Sequence, residues 1–304
     1  MTQLIRGILH LKQVPSGGVV TIGNFDGVHL GHQALLNKLT QHARTHHVPS
    51  IVLTFEPQPQ VFFSGIKKPR LTSFCEKLAL MQTIGIDYVV LLHFNQAMAD
   101  LNAQQFIQTI LLEGLRAQHI IVGHDFHFGR GREGDIHLLQ QQKKLTVEEM
   151  PPFILENERV SSTCIRQCLS ENDFAKAKHY LGYPWMIAGR VMYGAQRGRL
   201  LGFPTANIFL GKRALPVGGV YAVKLHGIAA KGLPGVANVG VRPTVDGTRQ
   251  ILEVHLFDFN GTIYGKRVQV EFCHKIRDEV RFANLDLLKE QIRKDAEIAK
   301  RYFE

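Results

Sequence analysis

The stretch VVTIGNFDGVHLGH (residues 19–32) passes from four apolar or β-branched residues into a segment holding three glycines and two histidines. Four such residues followed at once by Gly and Asn read as a short buried strand that ends in a turn. Helical period begins soon after, over residues 33–46, where Leu35, Leu36, Leu39 and Ala43 form one apolar stripe. A strand that gives way to a helix in this manner delivers its connecting loop to the carboxyl edge of a parallel sheet, where ligands bind. Gly23, Gly27 and Gly31 let the backbone approach a ligand, and the first N–H groups of the helix point at it. His29 and His32 add two imidazoles able to hydrogen-bond phosphoryl oxygens. The arrangement suits a phosphate chain, and because transfer at phosphorus depends on positioning and charge stabilisation, no covalent nucleophile is required. A purely structural role for two histidines around a glycine remains the alternative at this point.

Working outward, the strand candidates VVTIG, SIVLTF, DYVVLLHF and HIIVG alternate with helical segments at 33–46, 74–84 and 103–112. Strand, helix, strand repeated in this way implies parallel pairing with right-handed crossovers, hence a doubly wound α/β domain. Beyond about residue 184 the pattern changes to short strand-like segments parted by Gly and Pro, among them GVYAVKLHG, GVANVGV, ILEVHLFDFNG and KRVQVEFCHK. That spacing predicts a small antiparallel barrel or sandwich. A closing helix is expected from Asn284 as N-cap, with Leu288, Ile292, Ala296 and Ala299 on its stripe. The domains are therefore expected at 1–183 and 184–304.

A chain of 304 residues fits about two domains. At 45% hydrophobic and 20% charged it is an ordinary globular sequence, without an 18-residue apolar run or a signal peptide, which predicts a cytoplasmic protein with no membrane contact. Cys75, Cys164, Cys168 and Cys273 are scattered and complete no zinc pattern, so reduced thiols are expected. The formal charge of +10 suits a polyanionic partner. Lys and Arg are spread along the chain, and no zinc finger or RNP-like motif accompanies them, which favours phosphorylated small molecules over nucleic acid. No oligomeric state follows from the pattern.

The run HLGH (residues 29–32) resembles the H-x-G-H signature of nucleotidyltransferases, which join a phosphate or acid to a nucleoside triphosphate and release pyrophosphate. In that superfamily a later motif supplies hydroxyls and an arginine to the triphosphate, and SSTCIR (residues 161–166) has that form. On its own the Ser/Thr run reads equally as a helix cap, and the two roles are compatible. GRLLGFPTANI (198–208), GVANVGVRPT (235–244) and LEVHLFDFNGTIYGKRVQVEF (252–272) resemble the riboflavin kinase module. With TFEPQP, RLTSFCEKLALMQTIGIDYVV and VGHDFHFGRGREGD in the first half, the whole chain resembles the prokaryotic bifunctional riboflavin kinase and FAD synthetase family.

The resemblance implies a Rossmann-like nucleotidyltransferase domain followed by a riboflavin kinase-like β-barrel with a terminal helix. It implies two reactions: ATP phosphorylates riboflavin to FMN in the second domain, and a second ATP adenylylates FMN to FAD in the first. In the second domain it makes Thr205 and Asn207 ligands of Mg²⁺, Gly198 and Thr205 contacts of the nucleotide, and Glu253 the base for the riboflavin hydroxyl. Arg277 and Glu279 would lie beside the flavin. In the first domain it gives His29, His32 and Arg166 the stabilisation of charge. Gly23, Asn24, Phe25, Gly31, Ser162 and Thr163 would hold ATP, and Phe55, Asp125 and Phe126 the flavin. Two departures stand out: Gln58 occupies a position where the family usually has histidine, and His127 one where arginine is common. A kinase with a silent or differently specific nucleotidyltransferase half, and a flavin- or nucleotide-sensing binding protein, are the competing readings.

Overall fold

The computed structural model describes residues 2–65, 68–194, 202–211, 213–244 and 247–304. Gly198 of the expected nucleotide contacts, with Arg197 and Arg199 beside it, lies outside the described residues. The chain divides into two compact units, Met1–Lys68 with Phe74–Ser161, and Pro69–Ser73 with Ser162–Glu304.

The first unit is organised by strands that are buried along nearly their whole length. All of β2 (Val19–Ile22) and six of the seven residues of β3 (Ser50–Glu56) are inaccessible. Such strands need helices on both faces of the sheet, and parallel pairing supplies them through its crossovers. β2 pairs with β3 on one side and with β5 (His119–Gly123) on the other; β3 continues to β4 (Tyr88–His93) and β1 (Gln3–Arg6), and β5 to β6 (Thr146–Met150), every pair parallel. The resulting order, β1-β4-β3-β2-β5-β6, means that the chain steps outward through β2, β3 and β4 and then returns to the far side of β2. The winding thus reverses between β2 and β5, and the loops leaving these two strands diverge over a crevice.

Alternation along the strands sends Val20, Ile22, Ile51 and Leu53 to one face, against Phe106, Ile107 and Ile110. Val19, Val52 and Val89 go to the other face, against Leu35, Leu36 and Leu39 of α1 (Leu30–His46) and Met81 of α3 (Phe74–Ile84). Helix α1 starts three residues before the periodicity does, because His29 caps it: the residue is extended, and its Nδ1 accepts the His32 N–H at 3.4 Å. The helix expected at 103–112 is α5 (Ala103–Phe106) running into a π-helical turn at Ile107–Gly114. Short helices α2 (Pro59–Ser64), α4 (Gln96–Ala99) and α6 (Ile136–Gln140), and the hairpin of β7 (Ile154–Leu155) with β8 (Glu158–Arg159), complete the unit.

The second unit opens with α7 (Ser162–Ser170) and α8 (Phe174–Leu181), ahead of the change of pattern near residue 184. Phe174 explains their allegiance: its ring packs edge-on against Tyr221 and stacks on Phe272 in the barrel, with centroids 5.8 and 6.2 Å apart. The barrel comprises β9 (Met186–Met192), β10 (Ala206–Ile208), β11 (Gly219–His226), β12 (Leu233–Thr244), β13 (Gly247–Leu256) and β14 (Arg267–Arg277), closed in the order β10-β13-β12-β11-β14-β9. Between barrel and sandwich, the pairing of β9 with both β14 and β10 decides for the barrel, since it leaves neither edge open. Residues 69–73 dock on this unit, where Leu71 O accepts the indole N–H of buried Trp185 at 3.0 Å and Arg70 N donates to Ala214 O at 3.0 Å. Outside the barrel, α9 (Leu285–Phe303) is capped by the Asn284 side chain and buries Ala296 and Ala299 against Val220, Ala222 and Val236.

One cluster in the first unit makes its stability depend on pH. The His42 ring stacks on His46 one turn along α1 and lies 3.9 Å, centroid to centroid, from His119. His42 Nδ1 and His119 Nε2 are buried, with no hydrogen-bond partner among the described residues. Burial, and then the neighbouring imidazoles, lower both histidines below the ordinary value, while Glu148 opposes the shift. A histidine depressed in the folded state takes up protons more readily once unfolded, so stability is full above about pH 6.5 and falls as the pH drops below it. Urea titrations followed by circular dichroism are expected to show a lower midpoint at pH 5.5 than at pH 7.5, and His42→Gln to narrow that gap.

Candidate functional site

In the first unit the loop after β2 turns through left-handed backbone at Phe25 (φ 47°), Gly27 (φ 84°) and Val28 (φ 38°). Two of these are not glycine, so the conformation is held against its intrinsic cost by the burial of the Phe25 and Val28 side chains. The loop ends at His29, which is 6% exposed, and the imidazoles of His29 and His32 stack with centroids 3.6 Å apart and planes 20° from parallel. A Cβ at Gly31 would press to 3.2 Å on Phe153 and 3.3 Å on the His29 ring, so these neighbours would have to give slightly. The Phe25 ring meets the His32 ring edge-on at 5.2 Å. His32 Nδ1 is buried, with no hydrogen-bond partner among the described residues. Burial, then His29 and Lys77, pull the His32 pKa well below the ordinary value, so its ground state is neutral imidazole.

Two cavities meet at this histidine. One, of about 480 Å³, is bordered by Gly23, Asn24, His32, Asp125 and an aromatic wall that includes Phe55, Phe94, Phe126 and Phe128. The other, of about 340 Å³, is bordered by His29, Gly31, His32, Asp125, Phe153 and Arg159. The first can take a flat apolar ring and the second a polar or anionic group, with His32 between them. Arg159 donates to the Asp125 carboxylate at 2.7 Å; burial would push that carboxyl up, but the arginine outweighs it and the group sits below its ordinary value. His127 borders the aromatic cavity with Nδ1 3.0 Å from Asp125 O, whereas Gln58 is buried at the cap of α2. Ser162, Thr163 and Arg166 lie at the start of α7 in the second unit, where Arg166 Nε donates to Pro69 O at 2.8 Å.

The barrel's own site is a matter of register. Leu252, Val254 and Leu256 of β13 are buried, so the alternate residues Glu253 and His255 stand on the opposite face. Glu253 is paired with Asn207 of β10 on one side and Asn238 of β12 on the other, which sets a carboxylate between two amides. All three border a cavity of about 620 Å³ together with Thr205, Arg277 and Glu279. Thr205 and Asn207 also border a second cavity of about 230 Å³ with Gly194 and Tyr264. A side chain at Gly194 would run into the Asn207 amide, and one at Gly240 would come within 2.5 Å of the Glu279 carboxylate. His255 Nδ1 lies 2.9 Å from Pro204 O, a carbonyl that only accepts, so this nitrogen carries the proton.

Arg277 is already engaged. Its Nε and Nη2 hold the Asp295 carboxylate at 2.7–3.1 Å, Nη1 donates to Asp278 O at 2.8 Å, and the guanidinium lies over Phe282. Asp295 is 3% exposed on α9 and receives Gln291 Nε2 as well, at 2.9 Å. Asn238, Asp295 and Lys77 were not singled out in the sequence. Each had a signal: Asn238 is polar within an apolar strand, and Asp295 and Lys77 are charges placed on the apolar stripes of α9 and α3.

A curated relative from Escherichia coli K12, named bifunctional riboflavin kinase/FMN adenylyltransferase, is 48% identical over 99% of this chain and 98% of its own. The chain belongs to that family. The Haemophilus influenzae Rd member of the family is 45% identical over 99% of both chains. The two halves match separate family models, FAD synthetase at residues 11–164 and riboflavin kinase at residues 181–303. A crystal structure from Streptococcus pneumoniae, named a macrolide-efflux protein, superposes with a TM-score of 0.80 at 32% identity over 98% of each chain. Among the described residues no helix is long and apolar enough to cross a membrane.

The Arg277–Asp295 pair is buried on the carboxylate side, and removing one partner of such a pair costs about 3–5 kcal/mol. Asp295→Ala is therefore expected to lower the thermal midpoint of the second unit, read through the fluorescence of Trp185. Asp278→Ala, which removes an exposed carboxylate paired with Lys275, is expected to cost less than about 1 kcal/mol.

Proposed function

We propose that this member of the family makes FMN and FAD in succession, with kinase chemistry assigned to residues 184–304 and adenylyl transfer to residues 1–183. The observation that carries the reading is that phosphate-handling groups stand beside a flavin-sized cavity twice, once in each unit.

In the kinase half, Glu253 takes the proton of the riboflavin 5′-hydroxyl as its oxygen attacks the γ-phosphorus of ATP and ADP leaves. Asn207 and Asn238 flank that carboxylate from the two neighbouring strands. Thr205 and Asn207, whose hydroxyl and amide oxygens are hard donors on one wall, would hold Mg²⁺ there. When bound, the ion supplies neutralisation of the phosphate charge. Gly198 and Thr205 are assigned to the nucleotide. Glu279 faces the flavin, and Arg277 shapes that wall through its bond to Asp295.

In the adenylyltransferase half, a phosphate oxygen of FMN attacks the α-phosphorus of ATP, the bond to pyrophosphate breaks, and charge gathers between the two cavities. His29 and His32 donate to those oxygens, with the N-terminal N–H groups of α1 behind them. Gly23, Asn24, Phe25 and Gly31 carry the nucleotide's backbone contacts, while Phe55, Phe126 and Asp125 flank the isoalloxazine. Ser162, Thr163 and Arg166 are assigned to ATP from their motif. The chain's +10 charge then serves phosphorylated small molecules in the cytoplasm, without nucleic acid or membrane as partner.

Substitutions separate the halves. Glu253→Gln is expected to slow FMN formation by about 10²–10⁴-fold while the variant still converts added FMN to FAD. His32→Ala is expected to do the reverse, losing about 10²-fold or more of FAD formation with FMN formation intact. Chromatography of the two reactions run separately checks both.

A further inference from the structure

The chemistry above leaves a buried lysine unused. Lys77 lies on α3 between Phe74 and Met81, at a position of the apolar stripe, and is 2% exposed. A helical lysine ordinarily carries its ammonium out to water, because an ammonium without partners in the interior is very unfavourable. Here Nζ turns inward and donates to Asn24 O at 2.5 Å. Asn24 opens the loop in which three of the next four residues, Phe25, Gly27 and Val28, adopt positive φ. A loop wound in this way needs an anchor from outside itself, and the ammonium is one.

We propose that Lys77 is a positioning residue for adenylyl transfer: it fixes the loop that carries His29 and His32 by holding the Asn24 carbonyl, and sets its amine behind the two imidazoles. This rests on the assignment of His32 to that reaction.

The charge has a definite consequence. His29 stacks on His32 and Lys77 acts on it from α3, Asp26 is buried in the same loop, and His124, Asp125 and Arg159 border the adjoining cavity. After burial itself, His29 and Lys77 are what depress its pKa. With no anion present, burial and the neighbouring His29 and Lys77 all favour the neutral form of His32. A polyphosphate entering the cavity reverses the balance, so the imidazole gains positive charge only when there is negative charge to meet it. Water-filled and substrate-filled states are thereby distinguished without a moving part.

The test uses the full chain with labelled histidines, titrated by NMR, alongside separate assays of FMN and FAD formation. In Lys77→Gln, which keeps a donor but loses the charge, the His32 titration is expected to rise toward the ordinary value of about 6.5. The kcat for FAD formation should fall about 10- to 100-fold, with KM for FMN little changed and FMN formation unaltered. Lys77→Arg should keep the His32 titration low. A His32 titration that does not move in Lys77→Gln overturns the proposal, whether or not FAD formation falls, since a structural lysine alone would give that result. Should Lys77→Gln unfold the first unit, Lys77→Arg decides: His32 held neutral supports the proposal, and His32 titrating near the ordinary value overturns it. Failure of the underlying assignment reads differently, as normal FAD formation by His32→Ala with the Lys77-dependent titration of the native chain intact.

Discussion

Burial of β2 on both faces is the constraint from which the first unit follows. A four-residue strand with no exposed position has to be flanked by strands and roofed by helices, and its neighbours β3 and β5 lie on opposite sides of it. Because one neighbour follows β2 in the chain and the other arrives only after β4, the loops beyond β2 and β5 diverge. The crevice they leave is where His32 and Asp125 stand. The geometry of the candidate site is thus a consequence of strand order, and glycines at positions 23, 27 and 31 only allow the backbone to occupy it.

The barrel solves a different problem with different means. Closure through β9 removes the free edges, and the alternation of β13 then dictates that Glu253 shares a face with Asn207 and Asn238. The electrostatics of the two sites are opposite. His32 is held neutral by burial and by its basic neighbours His29 and Lys77, a setting that gains most from an arriving polyanion. Around Glu253 the donors are carboxylate and amide oxygens, suited to a proton and to a hard cation, while the guanidinium of Arg277 is spent on Asp295. Each charge pattern matches the step assigned to it, attack by an anionic phosphate in one case and by a neutral hydroxyl in the other.

Much of this was legible in the sequence, for identifiable reasons. The double winding followed from the alternation of Val- and Ile-rich runs with helical stripes, and the closing helix from Asn284 and its stripe. Closure into a barrel was not readable from the residues themselves, because β10 is only three residues long and its pairing with β9 is a long-range contact. The start of α1 was misjudged because a histidine, not a Ser or Asp, caps it. Residues 69–73 gave no sign of joining the second unit, since a backbone carbonyl bonding to Trp185 leaves no mark in the sequence. Asp295 and Lys77 were hidden by the general expectation that charged residues on helices face water.

Two phosphorus chemistries run in succession on one chain, each in its own half. A time course with riboflavin, ATP and Mg²⁺, resolved by chromatography, tests it most directly. FMN rising first and then giving way to FAD is the predicted result. FMN accumulating without FAD, or riboflavin left unchanged, would contradict it.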